Sequence, residues 1–238
     1  MTMTRREWVS NSLVAGLGAA VAGSIAQRAR AHDDHEHPPA ETKPAALRVQ
    51  VAIFDGFEVT DALAPFDALK LAGKVGAPVE TTLVTVNGEE EVTALDDVRV
   101  KPTAAFDASA DVLLVPGAPA LWRSGITPPG LAEALAAFRE PGKLLGTICT
   151  GAVYAARAGL LQGRNANTHK AAQALIVELG AVLQPVRVVD DGDLLSSGGV
   201  TSGIDLALYL IERYFGAAPA IQVQDILEYE RRGVVWRA

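Results

Sequence analysis

Residues 143–163, K-L-L-G-T-I-C-T-G-A-V-Y-A-A-R-A-G-L-L-Q-G, constrain the fold more than any other stretch, because the hydrophobic period changes abruptly at the only cysteine. Residues 144–148 are a short apolar run ending in β-branched side chains, as a buried strand is, whereas Ala152, Val153, Ala156 and Leu160 recur at helical spacing. Gly163 is placed to close that helix. Cys149 is therefore expected at a strained elbow between strand and helix. Unpaired amides and the positive end of the helix dipole there favour thiolate over thiol. A free cysteine also serves as a small buried hydrophobe, so position alone does not separate nucleophile from core residue.

From residue 47 onward, strand-like runs alternate with helical patterns. Strands are expected at 47–54, 79–86, 111–115 and 144–148, with a short one near 164–167. Runs 186–189 and 194–197 should pair around Asp190-Asp191-Gly192, and Asn87-Gly88 is a hairpin signal before the runs 91–94 and 98–100. Helices are expected at 60–72, interrupted near Pro65, at 128–139, opened by proline, and at 170–179, 203–215 and 221–231. This alternation predicts one α/β domain over residues 47–238, a doubly wound, flavodoxin-like parallel sheet with helices on both faces. Ligands of such sheets bind beyond the carboxyl ends of the strands. Asp61, Gly117-Ala118, Cys149 and Gly198-Gly199 all fall at strand ends, and His169 follows the 164–167 run.

Residues 1–31 read as an export signal. Thr4-Arg5-Arg6 precedes a weakly hydrophobic run diluted by Gly16, Gly18 and Gly23, and Ala29-Arg30-Ala31 is a small-x-small cleavage site. The pattern resembles a twin-arginine signal, with Arg28 and Arg30 before the cut, and implies a periplasmic protein beginning at His32 with no membrane anchor. Residues 32–46 are polar and proline-rich, the composition of a flexible tether. His32, His35 and His37 within it are metal-ligating types without a rigid frame, so no metal or other cofactor is expected.

The chain has 21 basic and 28 acidic residues. Residues 1–31 hold four basic and one acidic residue, which leaves 17 against 27, a formal charge of −10. That balance offers no footprint for nucleic acid. One cysteine permits no internal disulfide.

The segments F-D-G-F-E-V-T-D-A-L-A-P-F-D-A-L, L-L-V-P-G-A-P-A, I-C-T-G-A-V-Y-A-A-R-A-G-L-L-Q-G, N-T-H and S-S-G-G-V-T-S-G-I-D-L-A-L together resemble the ThiJ/PfpI superfamily. Within it they are most similar to the isonitrile hydratase branch, and also to the amidotransferase-like sensing lobe of AraC-type regulators. The resemblance implies that Cys149 is the nucleophile and that Asp61 contacts it. Thr150 stands after the nucleophile, where the protease-like branch has histidine, and its amide would act with that of Ala118 as an oxyanion hole beside Gly117. His169 matches a histidine near the cysteine of several members, and a homodimer is implied. Ala118 replaces a second glycine of many relatives, and an export signal is unusual in a family known mostly from the cytoplasm.

Each residue has a plainer role open to it. Asp61 could cap the first helix, His169 could be structural, and Gly198, Gly199 and Gly203 could serve backbone geometry. Asp205 and Glu212 read as ordinary helix residues. A Ser/His/Asp triad is not indicated, because no serine sits in a Gly-x-Ser-x-Gly turn. The favoured expectation is a cysteine-dependent enzyme acting on a small molecule, hydrating an isocyanide to an N-substituted formamide, with Asp61 protonated and donating to a Cys149 thiolate. The alternative is a non-catalytic redox, electrophile or ligand sensor. DNA-binding regulation is disfavoured, because too little chain follows residue 215 for a helix-turn-helix module. Peptidase and amidotransferase activity are weaker still, given Thr150.

Overall fold

The computed structural model describes residues 45–238, so residues 1–31, read above as an export signal, and nearly all of the 32–46 run expected to be a tether, with His32, His35 and His37, lie outside the described residues. Five strands run parallel: β1 (Leu47–Ile53), β2 (Val79–Thr85), β5 (Val112–Val115), β6 (Leu144–Thr147) and β10 (Leu194–Ser197). β9 (Val188–Asp190) pairs antiparallel with β10 around the expected turn, and β11 (Val235–Arg237) extends the edge beside β9. The sheet order is β11-β9-β10-β6-β5-β1-β2. β5, β6 and β10 are buried along their whole length, which is why β5 reads as an unbroken apolar run and β6 and β10 open on two successive leucines instead of alternating.

The helices fall into two packed groups. α1 (Val59–Lys74), α6 (Ser202–Phe215) and α7 (Ala217–Leu227) contact one another, while α4 (Gly151–Arg157) packs on α5 (Gln173–Glu178). The strand order turns in opposite directions on the two sides of β1, so the crevice between the carboxyl ends of β1 and β5 is the switch point at which α/β sheets bind ligands.

Several local expectations are corrected. Pro65 lies inside α1 without breaking it. Its missing N–H leaves the Asp61 carbonyl without the usual donor one turn on, and the ring packs where a Cβ on Gly203 would lie 3.7 Å from Pro65 Cδ. The Asn87-Gly88 turn ends β2 but makes no hairpin with it. β3 (Val92–Thr93) and β4 (Arg99–Val100) pair with each other around the turn Leu95–Asp97, where Asp96 and Asp97 have φ of 60° and 62°. The helix expected over 128–139 shortens to α3 (Leu131–Ala137) and is preceded by an unexpected turn of helix, α2 (Leu121–Ser124). α4 stops at Arg157, well before Gly163, because Gly159 adopts φ of 74°, a conformation that glycine reaches without a Cβ penalty. The 164–167 run contributes only β7 (Asn165–Ala166), which pairs with β8 (Val182–Leu183) outside the main sheet. Among the described residues no helix is long and apolar enough to cross a membrane.

Candidate active site

The elbow is built by hydrogen bonds from three directions. Ile148 donates its N–H to Val115 O at 2.9 Å, which carries the register of β5 one residue past β6. Cys149 then turns to φ of 54° and donates its N–H to Gly198 O at 3.0 Å. The Thr168 hydroxyl donates to Cys149 O at 2.7 Å. A non-glycine residue in that region costs about 1–3 kcal/mol, and the three neighbouring segments hold it there.

Asp61 is the third residue of α1 and has no exposed surface. It does not cap the helix. Gly117 donates its N–H to Asp61 Oδ2 at 2.9 Å, and Oδ1 has no hydrogen-bond partner in the protein. A Cβ on Gly117 would stand 2.9 Å from that Oδ2 and 2.8 Å from the Thr150 nitrogen, so only glycine lets α1 and α4 approach this closely. Burial pushes the Asp61 carboxyl up to about 7, the nearby Glu58 charge adds to this, and the Gly117 N–H and the Cys149 thiol oppose it.

Cys149 is 4% exposed. Burial pushes its thiol up to about 12, and the Asp61 charge pushes the same way, while the Val200 and Thr150 amides pull it down without prevailing. The expectation of a thiolate made by the helix terminus is thus corrected: desolvation of the sulfur outweighs two amides and a helix end. The carboxyl and thiol influence each other's titration through both charge and hydrogen bonding, while Oδ1 keeps no hydrogen-bond partner. The proton is therefore held on sulfur when Asp61 is ionised.

Thr150 is 3% exposed and its hydroxyl oxygen accepts the Ala118 N–H at 3.1 Å. The Ala118 amide is therefore already engaged, and the amides that converge on the sulfur are those of Thr150 and Val200. This corrects the expected pairing of Thr150 with Ala118. His169 is half-buried, its Nδ1 accepts the Ala171 N–H at 3.2 Å, and its ring covers Gly199, where a Cβ would meet Cδ2 at 2.7 Å. The fold brings Cys149, Asp61, Thr150, Gly117 and Ala118 together and sets the His169 ring against Gly199 of the 198–201 loop.

Three features escaped the sequence reading. Thr168 lay inside the N-T-H segment but was overshadowed by the histidine beside it. Val200, a β-branched residue, has φ of 32°, which no local pattern announces. Asp205, read as an ordinary helix residue, is 1% exposed and fully partnered. The signal for it was a carboxylate on the apolar face of I-D-L-A-L. Glu212 pairs with Arg231. Among the described residues no group of three or more His, Cys, Asp or Glu could hold a metal ion.

The DJ-1/PfpI family profile matches residues 47–213. The isonitrile hydratase of Pseudomonas putida is 33% identical over 190 residues, covering 77% of this chain and 79% of that protein. The HTH-type transcriptional regulator GbdR of Pseudomonas aeruginosa is 28% identical over 200 residues, 82% of this chain but only 53% of the regulator. The crystal structure of Drosophila melanogaster DJ-1beta superposes with a TM-score of 0.69 at 23% identity, over 78% of this chain and 99% of that one, a likeness of fold.

Proposed function

The chain belongs to the DJ-1/PfpI family, and from that premise we propose that it hydrates isocyanides to N-substituted formamides. The observation that carries this reading is the buried Asp61–Cys149 pair, a carboxyl near neutrality with a free oxygen beside a thiol at a strained elbow. Similarity to an isonitrile hydratase over most of both chains supports it.

The reaction needs two protons relayed in turn through Asp61, one from sulfur to carbon and one from water to sulfur. Ionised Asp61 takes the thiol proton as Sγ bonds to the terminal carbon of the isocyanide, and returns it to that carbon, leaving a thioimidate, R–N=CH–S–Cys. Water then adds to the same carbon, Asp61 accepting its proton. The C–S bond breaks, the sulfur recovers the proton from Asp61, and the released imidic acid tautomerises to the formamide. The sum is isocyanide plus water. A thiol near 12 is ionised to only about one part in 10⁵ at pH 7, so attack depends on Asp61 acting as base when substrate is present.

The same fact weighs against an oxidant sensor, because oxidants attack the thiolate. Incubating the purified protein with alkyl and aryl isocyanides, with Cys149→Ser as control, tests the proposal. Formamide released over many turnovers is expected. Stoichiometric modification of Cys149 without product would favour the sensor reading. We also propose export by the twin-arginine route with a mature start at His32, for which N-terminal sequencing from the native cell is the check, and a homodimeric state, which sedimentation would establish.

A further inference from the structure

The mechanism above uses Asp61 and leaves unexplained a second set of polar groups on the other side of Cys149. Arg187 precedes β9, and its guanidinium donates from Nε to Asp205 Oδ2 at 2.7 Å and from a terminal nitrogen to Thr201 Oγ1 at 3.1 Å. Tyr229 donates its hydroxyl to the same Asp205 oxygen at 3.0 Å, and Arg232 donates its N–H to Asp205 Oδ1 at 3.0 Å. The Arg187 carbonyl accepts the Gly198 N–H at 3.0 Å, and the Gly198 carbonyl accepts the Cys149 N–H at 3.0 Å.

Arg187 thus grips the 198–201 loop at both ends, by its carbonyl at Gly198 and by its side chain at Thr201. Between them lies Val200, strained at φ of 32°. A β-branched residue persists there only when its surroundings over-determine it, and such strain concentrates at functional sites. Arg187 holds the loop on both sides of it, at Gly198 and at Thr201, and Asp205 holds the Arg187 guanidinium.

We propose that Arg187 and Asp205 are positioning residues, which hold the 198–201 loop closed against the Cys149 elbow and so keep the thiol enclosed until substrate arrives. Neither touches the sulfur. Their action passes through Gly198, which fixes the Cys149 backbone, and through Val200, whose amide faces the sulfur. Enclosure by this loop explains how a nucleophile can be held safe from adventitious electrophiles without losing its place beside Asp61. The turnover arm of the test below rests on the hydratase reading, whereas the labelling arm does not.

Thr201→Val removes only the outer grip at an exposed side chain, and Arg187→Lys keeps the charge toward Asp205 while losing the forked geometry that spans Asp205 and Thr201. Iodoacetamide labelling of Cys149 is followed from about pH 7 to pH 10 in the full chain, beside circular dichroism and thermal melts. Both variants are expected to label about tenfold faster near pH 8, with the pH profile displaced downward by roughly one unit, since release of the loop removes the burial that holds the proton on sulfur, an effect larger than that of the Val200 amide lost with it. Formamide turnover should fall at the same time. Labelling within about twofold of the unaltered protein in both variants, or slower labelling, overturns the proposal, including where only the melting temperature drops. If Arg187→Lys does not fold, Thr201→Val decides. If the unaltered protein makes no formamide, the hydratase reading fails and the labelling result still stands for or against the loop.

Discussion

Asp61 has no exposed surface and Asp205 has 1%, but the two carboxylates are surrounded in opposite ways. Asp205 receives a guanidinium and a hydroxyl on Oδ2 and a backbone N–H on Oδ1, so its charge is matched and its geometry closed. Asp61 receives one backbone N–H on Oδ2, faces a thiol, and has an empty Oδ1. Both are buried, and the Asp61 carboxyl is left able to exchange a proton near neutrality. Burial therefore does not distinguish a structural carboxylate from a chemical one. Saturation of its oxygens does.

The largest expected effect separates the two by activity. Asp61→Asn should fold and lose about a thousandfold in formamide turnover, because the amide cannot carry the proton from sulfur to carbon. Retention of more than a tenth of the turnover would break the contrast with Asp205.

Next in size is stability. Asp205→Ala strands the Arg187 guanidinium, the Tyr229 hydroxyl and the Arg232 N–H, and should lower unfolding free energy in urea by about 3 kcal/mol, at the modest end for a broken buried pair because Arg187 is partly exposed. Gly117→Ala, which intrudes on Asp61 and Thr150, should be comparably destabilising on the opposite side of the elbow.

The third prediction is smaller and has a sign. The Asp61 carboxyl rises from its ordinary 3.8 to about 7 on folding, so the folded state binds that proton more tightly. Its contribution to stability is complete below about pH 3.8 and is lost as pH rises through about 7. Between pH 5 and pH 8 the unaltered protein should lose about 2–3 kcal/mol relative to Asp61→Asn, whose curve should be flatter. Equal slopes in the two proteins would remove the argument that Asp61 is buried without compensation. His169→Ala is expected to cost least, about 1 kcal/mol from the cap it gives to Lys170–Ala172. A loss of turnover beyond about tenfold would place the imidazole in the chemistry after all.

The core strands were legible because their cause is local. A strand covered on both faces is apolar at successive residues, and 51–54 and 112–115, with the leucine pairs 144–145 and 194–195, show it directly. The elbow at Cys149 was legible for the same reason, as a change of period within a few residues. β11 was not, because Val235–Arg237 is only partly buried and becomes a strand through the edge that β9 offers it. Pro65 misled because its usual effect is local, whereas in α1 its ring is buried against a helix from far along the chain, close to Gly203.

Taken alone, the sequence determined where the strands and helices alternate, that a thiol stands at a strand-to-helix turn, and that Asp61 and Thr150 belong with it by motif. Tertiary structure decided the protonation of that thiol, the engagement of the Ala118 amide by Thr150, and the role of Asp205. The reason is one of range. Helix and strand preferences act over a few residues, but desolvation and hydrogen-bond partnership depend on groups brought from elsewhere, Gly117 for Asp61, Gly198 for Cys149 and Arg187 for Asp205.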